Sequence, residues 1–195
     1  MLLLLPFKNV IQELMRRLSS VAKVSPPLEE RRIFCRFSGE PPNRGRFFPV
    51  HRLAYRPCAY ALIFDENGKL LMVSSQVLSV HWNLPGGGVN RGETLLNGLR
   101  REVREEAGLE IEVDLLVTVM DDFVIMATGQ PVQSHRHFYL AHVIGGQFRP
   151  EGNGFDSDTV RYLDTNAMKD EELDAPHIMR PVIEKARFLL GAISP

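Results

Sequence analysis

Along the chain, the spacing of apolar residues changes period several times, and each change marks an element. Val10, Ile11, Leu14, Met15 and Leu18 recur at helical spacing, so residues 8–23 read as an amphipathic helix with one face free to pack on the body or on a partner. CAYALIF at 58–64 and KLLMVSS at 69–75 are apolar runs separated by the turn sequence DENG, which predicts a hairpin of two short strands. VDLLVTVM at 113–120, HRHFYLAHVI at 135–144 and VRYLD at 160–164 predict three further strands. Leu95, Leu96, Leu99 and Val103 fall on one arc of a central helix that Thr94 caps and Gly108 ends in a left-handed conformation. HIMRPVIEKARFLL at 177–190 predicts a closing helix that starts at Asp174 or Pro176, with Pro181 tolerated if it sits in the first turn. Strands around one helix and closed by another give an α/β layered sandwich.

Residues 25–57 break this pattern with Pro26, Pro27, Pro41, Pro42, Pro49 and Pro57 and seven arginines between Arg31 and Arg56. Such proline density forbids a long helix and favours extended or turn segments. The arginines read as a solvated linker, or Arg52 and Arg56 line an anionic substrate site next to the core. The expected division is an N-terminal extension over 1–54, helical then Pro/Arg-rich, and a domain over 55–195.

Composition narrows the function classes. With 23 basic and 24 acidic residues the surface offers no general cationic field, so bulk nucleic acid is not the expected partner. Cys35 and Cys58 match no metal or redox spacing, which fits free thiols in the reducing cytoplasm. The opening apolar run MLLLL is five residues long and soon meets Glu13, Arg16 and Arg17, too short for a membrane span or a signal core.

The chemistry concentrates in GGGVNRGETLLNGLRREVREEAGL, residues 86–109. Glu102, Glu105 and Glu106 share one face in the last two turns of the central helix, bordering its apolar arc. There they oppose the negative end of the helix dipole, at about 0.3–1 kcal/mol each. Glu102 and Glu106 repel one another at i,i+4, and Arg101 stands N-terminal to Glu105, the poorer orientation for an ion pair. A hard divalent cation such as Mg²⁺ would compensate, since it takes oxygen ligands and shares them with substrate phosphates; a solvated charged helix face is the alternative. LPGGG before the helix supplies backbone that a ligand can approach closely.

Taken together the stretch resembles the Nudix box: a glycine, five residues, Glu, seven residues, Arg-Glu, an apolar residue, any residue, Glu-Glu, any residue, Gly and an apolar residue. Gly87, Glu93, Arg101, Glu102, Val103, Glu105, Glu106, Gly108 and Leu109 fill every fixed position, and Trp82 and NLPGG agree in the flank. The resemblance covers roughly residues 55–165. It implies an α/β/α sandwich with a mixed sheet, and Mg²⁺- or Mn²⁺-dependent hydrolysis of a phosphoanhydride in a nucleoside diphosphate linked to another group, ADP-ribose or a nucleotide sugar. It assigns metal ligation to Glu102, Glu105, Glu106 and the carbonyl of Gly86. Arg101 would orient a catalytic carboxylate, and Glu93 would stabilise the loop and helix. Glu102 or Glu105 would take the proton of the attacking water, or an acid would come from FRPEGNGFDSD, where Glu151, Asp156 and Asp158 are available.

Substrate choice is not written in the box. DDFVIMATGQ at 121–130 lacks the proline and tyrosine that mark some subgroups, and the first proline beyond it is Pro131. A triphosphate pyrophosphohydrolase acting on oxidised nucleotides and a nucleotide sensor without chemistry are the alternatives. His81, Trp82, Phe123 and Phe138 are candidates for stacking on a base, or are core. His135 and His137 share one face of a strand, as a metal pair or as a pocket or solvent lining. Dimers are frequent in the family, and the helix at 8–23 offers an interface. Deleting residues 1–24 is therefore expected to change the oligomer mass; unchanged light scattering would refute the interface.

Overall fold

The computed structural model describes residue 27 and residues 29–40, 43–75, 79–155 and 157–193. In chain order these contain β1 (Arg32–Phe37), β2 (Gly45–Pro49), β3 (Ala54–Leu62), β4 (Leu70–Ser75), β5 (Ser79–Asn83), β6 (Gly86–Gly88), α1 (Leu95–Ala107), β7 (Leu109–Ile125), β8 (Pro131–Gly146), β9 (Thr159–Leu163) and α2 (Pro176–Ile193). The helix expected at 8–23 lies outside the described residues. Among those described, no helix is long and apolar enough to cross a membrane.

The continuous apolar run of β3 has a structural reason: both of its faces are buried. Successive side chains point to opposite sides. Tyr60 and Leu62 join Phe138 and Leu140 under Ile178, Met179, Val182 and Ile183 of α2. Ala59, Ala61 and Ile63 join Tyr139 and Ala141 under Leu99, Val103 and Ala107 of α1. The result is the α/β/α sandwich with a mixed sheet. Its main sheet runs β2-β1-β7-β8-β3-β6, and a smaller sheet runs β5-β4-β9. The pairs β1·β7 and β3·β8 are parallel, and the others are antiparallel.

Two expectations change in the folded chain. The turn at 65–68 forms, with the Asp65 carboxylate accepting from the N–H groups of Asn67 at 3.0 Å and Lys69 at 2.7 Å. The strands it joins nevertheless splay into different sheets after the single bridge Phe64↔Leu70. The reason is that β6 and β8 occupy both edges of β3, so β4 pairs with β5 and β9 instead. Second, α2 starts at Pro176, which leaves Pro181 in the second turn and not the first. A helix-interior proline costs about 3 kcal/mol or more. Burial of Ile178, Met179, Val182 and Ile183 outweighs this at about 1.5–3 kcal/mol per side chain. Gly98, inside α1, makes room for the side chain of Val89 in the loop after β6.

Within the Pro/Arg-rich segment, Arg32–Phe37 and Gly45–Pro49 are extended and enter the main sheet, and Val50–Arg52 form a short helix. β1 lies parallel to the end of β7, with Arg36 opposite Val124 and Phe37 opposite Ile125, and β2 forms the outer edge.

Because α1 is held on the sheet by few large side chains, Leu99→Ala is expected to lower unfolding free energy by about 2–5 kcal/mol. Chemical denaturation checks this: the midpoint falls while the slope stays constant.

Candidate active site

The stretch that carries the box folds as edge strand, loop and helix. Three glycines form β6, which pairs antiparallel with β3 through Tyr60↔Gly86 and Cys58↔Gly88. A side chain at Gly88 would collide with the Arg56 guanidinium, and a Cβ at Gly87 would sit 3.2 Å from the Glu102 carboxyl carbon. The glycines therefore let charged groups close on bare backbone. Thr94 Oγ1 accepts from Asn97 N at 3.2 Å to start α1, and Gly108 ends it at φ 73°.

Arg101 is the hub of the region. Its Nε and Nη2 donate to the two Glu93 oxygens at 2.8 and 3.0 Å, and Nη2 also reaches Gly88 O at 3.1 Å. Its Nη1 donates to Glu102 at 2.9 Å and Glu105 at 3.0 Å. The i,i+4 orientation rule undervalues this pair, because the guanidinium fork serves three carboxylates at once. Hydrogen bonds from Arg101, and from the Asn90 N–H, hold the Glu93 carboxyl down at about 2.

The three glutamates of α1 differ in depth. Glu106 is buried and accepts from Gly86 N at 2.8 Å. The Glu102 side chain is 12% exposed and that of Glu105 53%. The end of the helix is neutralised from a loop that the sequence reading treats as a source of acids. Arg149 Nη2 donates to the carbonyls of Arg104 at 2.5 Å and Glu105 at 3.2 Å, its N–H to Ala107 O at 2.9 Å, and Ser157 Oγ to Glu106 O at 3.2 Å. Cations and donors at a helix C-terminus offset the dipole that the glutamates oppose.

Glu102, Glu106 and Gly86 through Gly88 form one wall of a cavity of about 200 Å³. The smaller sheet contributes Ser74, His81 and Asn83, and the far side carries Ser38, Val124, Met126, Ser134, Arg136 and Asp174. Of the predicted residues, Arg56 and His81 line this cavity with the glycine loop and the two glutamates. Arg101 and Glu105 stand beside it on the exposed face of α1.

The other candidates lie elsewhere. Arg52 is exposed in the short helix Val50–Arg52. Trp82 packs on the core and bridges to Leu173, and Phe138 is core stacked on Tyr60. Phe123 lines a separate depression with Phe34 and His177. Glu151 is exposed, and Asp158 is half-buried with its N–H on Ser74 O; neither lines the cavity, and Asp156 lies outside the described residues. His135 pairs with Asp121 at 2.8 Å and His137 donates to Cys58 O at 3.2 Å. Strand alternation sends both histidines to one side and delivers the residue between them, Arg136, to the cavity. Arg136 carries its positive charge against burial, aided by Asp122 and Asp174. Ser38, Asn83, Arg136 and Asp174 have no motif of their own; only the alternation within HRH singles out Arg136.

Oxygen donors gathered this way suit a hard divalent cation. Among the described residues no group of three or more His, Cys, Asp or Glu side chains is already drawn together for a metal. Arg101 and the Gly86 N–H hold the carboxylates instead. Mg²⁺ takes one or two carboxylates and completes its shell from water and substrate, so Glu102, Glu106 and the glycine backbone fit it.

The Glu93 carboxyl, held at about 2 in the folded protein, lies below its ordinary value of 4.5. Its stabilisation is therefore complete above about 4.5 and is lost as pH falls toward 2. Glu93→Gln should lower stability at pH 7, and the gap to wild type should close on acidification through that window. Thermal melts of both proteins across pH check this, and a gap independent of pH would refute it.

Comparison with known proteins agrees with this geometry. The sequence model of the NUDIX domain matches residues 54–186. An RNA pyrophosphohydrolase of Bartonella clarridgeiae is 38% identical over 79 residues, which are 36% of this chain and 45% of that protein. The 8-oxo-dGDP phosphatase NUDT18 of Homo sapiens is 36% identical over 86 residues, 42% of this chain and 25% of its own length. The chain thus spans less than half the length of these relatives. The crystal structure of a UDP-X diphosphatase, 18% identical, covers 96% of this chain and 80% of that one at a TM-score of 0.58, a likeness of fold. With the box complete, the sandwich in place and the domain matched over most of the chain, this protein belongs to the Nudix family.

Proposed function

We propose that this chain is a divalent-metal-dependent hydrolase that cleaves a phosphoanhydride bond in a nucleoside diphosphate linked to another group, of the ADP-ribose or nucleotide-sugar type. One observation carries the reading: a single cavity joins bare glycine backbone, the carboxylates of Glu102 and Glu106, and the guanidinium groups of Arg56 and Arg136. Anionic oxygens would lie between cations on one side and metal-binding carboxylates on the other.

Bound Mg²⁺ or Mn²⁺ supplies charge neutralisation at the phosphate and acidifies water. The remaining roles belong to the chain. Gly86, Glu102, Glu105 and Glu106 supply oxygen ligands from the loop and the helix end. Arg101 holds Glu102 and Glu105 in place, and one of the two accepts the proton of the attacking water. Arg56, pressed against Gly88, meets the phosphates, and Arg136 meets the substrate farther along the cavity.

A second reading has its own support. Asp174 Oδ1 is buried at the cavity with no hydrogen bond among the described residues and only the Arg36 guanidinium near it, Nη1 at 3.5 Å, while the Asn83 amide donates to Oδ2. A buried carboxylate oxygen that makes no hydrogen bond suits an N–H of an oxidised purine ring, and the human relative is named for such a nucleotide. Oxidised nucleoside di- or triphosphates are thus the alternative substrates.

The test is product release from nucleoside diphosphate derivatives, nucleoside triphosphates and their 8-oxo forms, with Mg²⁺ or Mn²⁺. Metal-dependent turnover is expected, and Glu102→Gln and Glu105→Gln should each lower kcat about 10²- to 10⁴-fold. Nucleotide binding without turnover of any compound would convert the protein from enzyme to sensor.

A further inference from the structure

Four charged side chains are buried together at the cavity, two of them in its lining: Arg36, Asp122, Arg136 and Asp174, at 3%, 4%, 6% and 6% exposure. They come from four places in the chain. Arg36 lies in β1, Asp122 in β7, Arg136 in β8, and Asp174 just before α2. Burial of such a cluster contributes little net stability, because desolvation offsets the attraction between the charges. Its geometry is directional. Arg36 grips Asp122 with a fork, Nε to Oδ1 at 3.2 Å and Nη2 to Oδ2 at 2.7 Å. The same Oδ2 receives Arg136 Nη2 at 2.7 Å.

Arg36 does not line the cavity, whereas Arg136 does. The Arg136 guanidinium lies 5.6 Å over the Tyr60 ring, and its Nε is buried without an acceptor among the described residues. A planar carboxylate fixed at both oxygens leaves Arg136 one orientation. β1 also shapes the wall directly: Ser38 N donates to Ile125 O at 3.1 Å, and Ser38 and Val124 both face the cavity. In the sheet register Gly88, Cys58 and Arg136 stand in one row. At about 4.8 Å per strand, the Arg136 backbone is roughly 10 Å from that of Gly88.

We infer that Arg36 is a positioning residue for the substrate cavity: by fixing Asp122 it sets the Arg136 guanidinium to receive phosphate or carbonyl oxygens of the nucleotide, so that the β1–β2 hairpin is a working part of the site. The inference rests on the nucleotide reading given under Proposed function.

The experiment is calorimetric binding of ADP, UDP and dGDP in Mg²⁺ to wild type, R36M, R36K, R136M and the double variant R36M/R136M, with melting temperatures recorded alongside. R136M should weaken the tightest of the three nucleotides by about tenfold, and R36M by about five- to tenfold. R36K keeps the charge that folding needs but lacks the fork, and should lose about threefold. The double variant should bind within about twofold of R136M, because Arg36 acts chiefly through the Asp122 clamp on Arg136, its pairing with Asp174 Oδ1 through Nη1 being longer at 3.5 Å. Multiplying effects in the double variant overturn the inference. So does wild-type affinity in R36K or R36M, even where the melting temperature drops, since the cluster is then structural only. A wild type that binds none of the three nucleotides overturns the nucleotide reading itself, and this inference with it.

Discussion

Three glutamates crowded at the negative end of a helix are tolerated because one guanidinium is shared among the carboxylates that face it. Arg101 ties Glu93 in the loop to Glu102 and Glu105 on the helix and takes the Gly88 carbonyl as well. The loop, the helix and the glycine edge strand are thereby fixed relative to one another. Glu106 completes the tie from below through the Gly86 N–H. Without these bonds, like charges in the last turns of α1 would drive the ligating groups apart or neutralise one of them. The constraint also explains why the carboxylates lie ready at a cavity without closing on each other.

Around this hub, the cavity owes its existence to a divergence of strands. β3 is saturated on both edges, so β4 departs into a second sheet, and the space between the two sheets opens beside the glycine loop. Two chemically different ends result. One holds bare backbone and carboxylates; the other holds the buried charges of Arg136 and Asp174 beneath the turn that joins β7 to β8. An asymmetric molecule with a diphosphate in its middle suits such a channel better than a free inorganic anion.

Much of this was legible in the sequence where local rules decide. The cap at Thr94, the stop at Gly108, the apolar arc of Leu99 and Val103, and the box itself are read from spacing alone. The hairpin closes only beside its turn, through Phe64↔Leu70 and the Leu71 N–H on Ile63 O, because strand pairing beyond it depends on which edges are free, and that is settled by β6 and β8. The capping of α1 by Arg149 was invisible, since it lies in a loop 45 residues from its partner carbonyl at Arg104. His135 and His137 drew notice as a possible ligand pair, while the residue that reaches the cavity stands between them. Arg36 likewise looks like one of seven arginines in a proline-rich stretch, and only the parallel pairing of β1 with β7 sets it apart.

The end of α1 has a mechanical consequence. The carbonyls of Arg104 through Gly108 are satisfied almost wholly by Gln147, Arg149 and Ser157, from one loop. That loop and the last turn of the helix are therefore tied into one piece: whatever pulls on the outer strap between β8 and β9 is felt at the backbone beneath Glu105 and Glu106, and the placement of these carboxylates is coupled to a surface segment.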